Sequence, residues 1–515
     1  MHITIDKTVR RKRFRFPRII LVSLSVLLIH FSFFVAFATK WYRTIYGVTG
    51  FDSILFTLQS SLSGTQSTLV QSFLLNALVP ALILSLGASF VLFFPHRFRV
   101  CINNWSVFPF SYLLSIVFAL SGCAFLLTYS VTASGFHVYV RDQLYSTDLY
   151  TDEYISPDSV EITFPEEKRN LVYIMLESME TTYLSEELGG ASDVNLIPEL
   201  TELAQEGINF SHNDTVGGFH ATNGATWTIG SIVAQTAGIP LKTPVGLEDR
   251  HNGYGTDGIF LPGVRSITNI LDEAGYYTSF LCGSDASFGG RKPYYVSHGM
   301  DEIYDIHTAR RDGIVPADYF VWWGMEDLHL FEYARQELTE ISQLDEPFAF
   351  TMLTVDTHHI GGYQCAYCRG EFEEPYEQSI ACSSRQVLEF VNWLKAQPFW
   401  DNTTVVITGD HLSMDNGYFQ RNVDDSYDRM VYNCILNSPV TATHIKNRDY
   451  CAVDLFPTTL AAMGCTIEGD RLGLGVNLFS NRPTLSEKLG FNRFNGELGL
   501  ASEYYTEHFH NVPEA

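Results

Sequence analysis

At 515 residues the chain exceeds what one hydrophobic core ordinarily serves, so at least two structural units are expected. A formal net charge of −25 argues against nucleic acid as a partner, because an acidic surface repels a phosphate polymer. The long apolar runs are confined to the first quarter, which separates a membrane-type segment from a globular remainder.

The chain opens with a crowd of cations, Lys7, Arg10, Arg11, Lys12, Arg13, Arg15 and Arg18. Apolar runs follow at residues 19–39, 73–94 and 107–130, each close to the roughly 20 residues that cross a bilayer as helix. Ala36, Phe37 and Ala38 would suit a signal-peptidase site, but the apolar stretch before them is long for a signal core and two further runs follow. Three transmembrane helices within residues 1–131 are therefore expected. The early cations, with His96, Arg97 and Arg99 after the second run, place both of those segments in the cytoplasm. Everything from about residue 132 then lies outside the cytoplasmic membrane. Residues 132–169, polar from Ser146 to Arg169 and carrying Pro157 and Pro165, read as a linker.

From residue 170 to 515 short apolar runs alternate with helical patterns, the signature of an α/β fold with a mostly parallel sheet flanked by helices. The best strands are residues 171–176, 276–281, 348–355 and 404–408, near-continuous apolar runs of the kind buried on both faces. In such sheets ligands gather beyond the carboxyl ends of the strands. Those ends carry Glu177, then Cys282 with Asp285, then Asp356, His358 and His359, then Asp410 and His411. Carboxylates with imidazole suit a hard or borderline divalent ion such as Mn²⁺, Zn²⁺ or Mg²⁺. Such an ion makes a weak alcohol usable as a nucleophile at neutral pH.

A candidate alcohol lies in the small-residue turn from Gly224 through Thr226, Trp227 and Thr228, which runs into a helical pattern ending near Gly238. A hydroxyl at a helix N-terminus faces free N–H groups and the dipole, which favour a phosphoryl adduct, though threonine there can equally be a plain cap. Of nine cysteines, Cys101 and Cys123 sit near the membrane, leaving seven outside. Cys365 and Cys368 form a C-x-x-C that admits a structural disulfide, a redox site or unpaired thiols.

Residues 170–480 resemble the sulfatase-like branch of the alkaline phosphatase superfamily, and within it the lipoteichoic acid synthases and the membrane-oligosaccharide phosphoglycerol transferases. The strand from Asn170 to Glu177 and Ser178 is similar to the one that delivers that family's metal-binding glutamate, and Val406 through Asp410 and His411 to its adjacent Asp and His ligands. Trp227 to Leu241 resembles the nucleophile helix of the phosphoglycerol transferases, which assigns the nucleophile to Thr228, with Thr226 as the rival. Ser287 to Arg291 is similar to a Ser-Phe-Trp-Asn-Arg segment that contacts phosphoglycerol. Arg291 is retained as a phosphate ligand, while Gly289 replaces the tryptophan. Leu353 to His359 resembles the segment bearing a substrate-binding and proton-transferring histidine, here His358. Trp323 to Asp327, Gln378 to Cys382 and Asp454 to Thr458 also match, as scaffold.

The resemblance implies an alkaline-phosphatase/sulfatase-like fold and a metal site of Glu177, Thr228, Asp410 and His411. It implies transfer of phosphoglycerol from phosphatidylglycerol to a periplasmic or cell-envelope glycan through a phosphothreonine-type intermediate, at a bacterial inner membrane. The alternative is a phosphoethanolamine transferase acting on lipid A or another envelope glycan. A sulfatase is disfavoured because no Cys-x-Pro-Ser-Arg segment is present, and a non-catalytic scaffold would make all four metal-site residues coincidental.

Overall fold

The computed structural model describes residues 3–7, 16–47, 50–59, 67–93, 98–102, 105–108, 112–243 and 259–511. Two compact units form: Met1–Val48 with Gln66–His137, and Thr49–Thr65 with Val138–Ala515.

The first unit contains three helices long and apolar enough to cross a membrane, Ile19–Tyr46, Thr68–Phe93 and Tyr112–Ala133. Their buried positions include Ser32, Ala81, Ser85, Ser115 and Ala119, small residues that let helix backbones approach. Ser32 and Ser130 return their hydroxyls to carbonyls one turn earlier, at 2.7 and 2.8 Å, so neither hydroxyl faces hydrocarbon unsatisfied. The third helix begins five residues later than the apolar run suggested, because Trp105–Phe108 pairs as a strand instead. Arg10, Arg11, Lys12, Arg13, Arg15, His96 and Arg97, the main cations behind the expected orientation, lie outside the described residues.

The second unit is built on a seven-stranded sheet. Its strands are β1 (Asn170–Leu176), β2 (Gly218–His220), β3 (Tyr277–Cys282), β4 (Glu302–Tyr304), β5 (Phe348–Leu353), β6 (Thr403–Gly409) and β7 (Met430–Leu436). The order is β2-β7-β6-β1-β5-β3-β4, with β6, β1, β5, β3 and β4 mutually parallel, β7 antiparallel to β6, and the edge strand β2 antiparallel to β7. Along β1 every residue is buried, and the side chains alternate between two cores. Leu171, Tyr173 and Met175 join one, Val172, Ile174 and Leu176 the other. Register fixes the consequence for the site: Gly409 lies opposite Leu176, and Leu353 opposite both Met175 and Cys282. Four strands therefore end at one level, and the residues after them meet.

Three helices hold or brace the residues beyond those strand ends: α1 (Thr228–Ala237), α2 (Asp327–Ile341) and α3 (Pro375–Lys395). α1 ends at Gly238, which takes φ 68° as the C-cap.

The stretch expected as a linker is not a free tether from Val138 onward. Leu149 and Tyr150 are in the core of the second unit, Tyr150 packs edge-on to Tyr505 and Phe509, and Glu153 pairs with Arg471. Its aromatic residues find burial that its polar composition did not advertise. The helix Phe51–Gln59, which the sequence assigned to the membrane region, likewise belongs to the second unit, with Phe56 packed near Trp227 and Phe260.

Candidate active site

Glu177 leaves β1 with its backbone N–H donated to the Thr354 hydroxyl at 3.0 Å, and the Ser178 hydroxyl donates to Glu177 Oε1 at 2.7 Å. Ser178 adopts φ 53°, a left-handed turn that costs a non-glycine residue energy and is held here because its N–H donates to Asp410 Oδ1 at 2.8 Å. The same oxygen accepts the His411 N–H at 2.7 Å. Gly409 is required just before: a Cβ there would stand 2.0 Å from the Met179 carbonyl oxygen.

His411 Nδ1 lies 2.8 Å from the Leu412 carbonyl, which can only accept, so Nδ1 carries the proton and Nε2 presents its lone pair. Nε2 faces Asp410 Oδ2 at 3.3 Å and Glu177 Oε1 at 3.8 Å, and Asp410 Oδ2 has no hydrogen-bond donor among the described residues. Three lone-pair atoms thus converge in a site where each residue is at most 2% exposed. Burial, and then the Glu177 carboxylate, push Asp410 up to about 7. Burial lowers the proton affinity of His411, but Asp410 and Glu177 more than offset it and leave it raised. An orphaned acceptor facing two others is what a divalent cation relieves, so the donor set fits a hard or borderline ion.

Thr228 is the first residue of α1, and its Oγ1 lies 3.4 Å from His411 Nε2. The helix is pinned to the metal-site turn from within: Ser231 donates its hydroxyl to the Asp410 carbonyl, and Gln235 donates to the Gly409 carbonyl at 3.0 Å. Gln235 is itself held by the Tyr173 hydroxyl at 2.8 Å. Thr226 makes no hydrogen bond to this cluster among the described residues.

His358 donates Nδ1–H to the His359 carbonyl at 2.7 Å, which again leaves Nε2 bare. Burial holds its pKa down near 4, so the ring is neutral at physiological pH. The loop that carries it is fixed from α2. Asp327, fully buried, accepts the N–H groups of Val355 and Asp356 at 2.7 and 3.1 Å, and Asp356 accepts the N–H of Asp327 at 3.1 Å. Arg291 uses Nε on the Phe288 carbonyl at 3.0 Å, and Nη2 on Ser284 and the Asp285 carbonyl at 2.9 and 2.8 Å. Only part of the fork expected to grip two phosphate oxygens therefore remains for a ligand, on the Nη1 side.

Trp323, which the sequence assigned to scaffold, stands beside two of the candidate site segments. Its ring lies 4.7 Å from His358 and 5.3 Å from Phe288, bridging the His358 loop and the Arg291 turn, and its buried indole N–H has no acceptor among the described residues. The nearby long-range contact, in which the Met325 N–H donates to the Gly283 carbonyl at 2.8 Å, sets this position, a tertiary fact that no local spacing announces. Sequence reasoning also passed over Glu180, fully buried and paired with Arg429, which fixes the turn by accepting the Ser413 N–H at 2.9 Å. A second acidic group, Asp285, Asp305 and His307, is already spent on backbone: Asp305 caps the N–H groups of His307 and Thr308.

In the C-x-x-C segment Cys368 is bonded to Cys382 of α3, and Cys365 carries a free thiol beside them.

The profile of the Sulfatase family matches residues 169–465. The phosphoglycerol transferase I of Xanthomonas campestris pv. campestris (strain B100) is 34% identical over 257 residues, which is 49% of this chain and 35% of the relative. The protein of the same name from Escherichia coli O127:H6 is 33% identical over 260 residues, 49% of this chain and 32% of the relative. The chain thus spans about a third of the length of the curated relatives it matches. Among solved structures, the integral membrane lipooligosaccharide phosphoethanolamine transferase A of Neisseria meningitidis overlays with a TM-score of 0.50 at 13% identity, over 86% of this chain and 84% of that one, a likeness of fold.

Proposed function

Since this chain belongs to the sulfatase family, we propose that it is a membrane-anchored phosphotransferase that moves phosphoglycerol from phosphatidylglycerol to a glycan outside the cytoplasmic membrane, through Thr228. The observation that carries the reading is the meeting of Thr228 Oγ1 with His411 Nε2 at 3.4 Å, beside the Glu177 and Asp410 carboxylates. The named relatives supply the head group, and the three apolar helices suit an enzyme that meets a lipid donor at the bilayer.

Glu177, Asp410, His411 and Thr228 would hold one divalent ion, Mn²⁺ in the first instance, which stabilises charge on the phosphoryl group and makes the threonine hydroxyl easier to ionise. Thr228 Oγ attacks phosphorus, the bond to the diacylglycerol oxygen breaks, and the threonine proton leaves with that oxygen. An acceptor hydroxyl then attacks the phosphothreonine, and its proton restores Thr228. His358 suits the shuttle: it is neutral, its Nδ1 is committed and its Nε2 is bare. Arg291 Nη1 meets the donor phosphate, and Trp323 offers its indole N–H to the head group.

The test incubates the full-length protein in detergent micelles with Mn²⁺ and phosphatidylglycerol carrying a fluorescent acyl chain, in parallel with phosphatidylethanolamine. Diacylglycerol from phosphatidylglycerol alone, lost in Thr228→Ala, is expected. Release from phosphatidylethanolamine alone would reassign the donor, and release that persists in Thr228→Ala would reassign the nucleophile to Thr226.

A further inference from the structure

Trp322 and Trp323 are consecutive, yet each meets a different part of the His358 loop. Trp323 borders His358 itself, whereas the Trp322 ring lies 6.1 Å from that of Tyr363, tilted by 32°. Tyr363 closes the same loop, its N–H donated to the Asp356 carbonyl at 2.7 Å. Trp322 is held at φ 54°, inside a two-residue turn that Val321 and Gly324 close with N–H to carbonyl bonds of 2.8 Å in both directions. That left-handed backbone suits glycine and is costly for a bulky side chain, and strain of this kind collects where a side chain has a ligand to meet. Neither ring is sealed in the core: Trp322 and Tyr363 are both partly exposed, and their chain neighbours Phe320 and Ile360 are 51% and 52% exposed.

We propose that Trp322 and Tyr363 form a sugar-stacking subsite that seats the acceptor glycan beside the His358 loop. The inference rests on the transferase reading above, which makes the acceptor a polyhydroxylated ring. The C–H groups on one face of a pyranose are weakly positive and apolar, so they pack against the negative face of an aromatic ring and leave the hydroxyls at the sugar's edge free. One of those hydroxyls must reach His358, and the aromatic surface that begins at Trp323 continues along the same loop to Trp322 and Tyr363. The charge beside the rings is acidic. Glu326 accepts the Tyr319 hydroxyl at 2.5 Å, and burial, followed by Glu326, raises the Tyr363 hydroxyl above its ordinary value. A neutral sugar therefore fits this seat better than an anionic one.

The test uses the full-length protein in micelles of a detergent without a sugar head group, and a β-linked glucose hexasaccharide as probe. Trp322→Gly removes the ring while its backbone takes the left-handed turn freely, and Trp322→Tyr keeps an aromatic face. Saturation-transfer NMR is expected to show the hexasaccharide bound to the wild type, to Thr228→Ala and to Trp322→Tyr, with the signal lost in Trp322→Gly. In steady-state diacylglycerol release with the hexasaccharide as acceptor, Trp322→Gly should raise the acceptor KM about 10-fold while kcat falls less than about 3-fold, and Trp322→Tyr should restore most of the loss. A wild type that gives no saturation transfer, or equal transfer and equal acceptor KM in wild type and Trp322→Gly, would overturn the subsite. A wild type that binds the hexasaccharide through Trp322 but releases no diacylglycerol would support the subsite and overturn the transferase reading instead.

Discussion

Replacing Asp410 by Asn separates a metal ligand from a structural carboxylate. Oδ1 keeps its two backbone donors, Ser178 and His411, while Oδ2, the orphaned atom, becomes an amide that cannot hold a cation. Unit charges 4 Å apart interact by about 4 kcal/mol at an effective dielectric constant of about 20, so losing the charge weakens metal binding by roughly 10³-fold. At Mn²⁺ 100 times the wild-type Kd, binding stabilises the wild type by about 2.7 kcal/mol, or roughly 3 °C in a protein of this size. The variant at the same concentration gains less than about 0.2 kcal/mol. Without metal the order reverses, since Asn removes the repulsion with Glu177 that raises Asp410, and the variant melts no lower than the wild type. Thermal denaturation in EDTA and then in Mn²⁺, Mg²⁺ or Zn²⁺ reads both effects. An unchanged metal shift in Asp410→Asn, or a variant several degrees less stable in EDTA, would refute the reasoning.

Other consequences arise from the same geometry. Burial holds Asp327 up near 7, and burial with Asp327 holds Asp356 well above the ordinary carboxylate value. Both native carboxyls keep protons that the unfolded chain releases from about pH 4, so this pair makes stability fall as pH rises from about 4 to 7. Asp356→Asn should flatten that slope in a series of melting curves, and a slope steeper than that of the wild type would contradict the assignment. Trp323→Ala should lower the rate of diacylglycerol release by roughly 10- to 100-fold while Trp323→Phe keeps most of it, since the proposed proton shuttle His358 rests against that ring; equal rates for all three would place Trp323 outside the site. Gly409→Ala should fail to give folded protein, because its Cβ would meet the Met179 carbonyl oxygen at 2.0 Å, and a soluble, active Gly409→Ala would contradict the backbone geometry.

Much of the central sheet was legible because strands buried on both faces read as unbroken apolar runs: β1, β3, β5 and β6 each lie within a residue or two of the expected segments. β7 was not singled out, although equally apolar, because no acid or histidine follows it to draw attention. β2 and β4 span three residues each, too few for a period to show. The residues at the strand tips could be named from sequence since chain order places them there. What the sequence could not supply was anything set by distant contact. Trp323 meets His358 through a tertiary contact between segments far apart in the chain, and Cys382 pairs with Cys368 from inside a helix, where no spacing motif marks it. Leu149 and Tyr150, both buried in the core, were hidden in a stretch whose composition reads as exposed.

The most direct measurement is a trap of the covalent intermediate. Full-length protein incubated with Mn²⁺ and phosphatidylglycerol, without glycan acceptor, is quenched in acid and its peptides sequenced by mass spectrometry. A phosphoglycerol ester on Thr228, absent from His411→Ala, is the predicted result. An ester on Thr226, or diacylglycerol release with no modified threonine, would contradict the account.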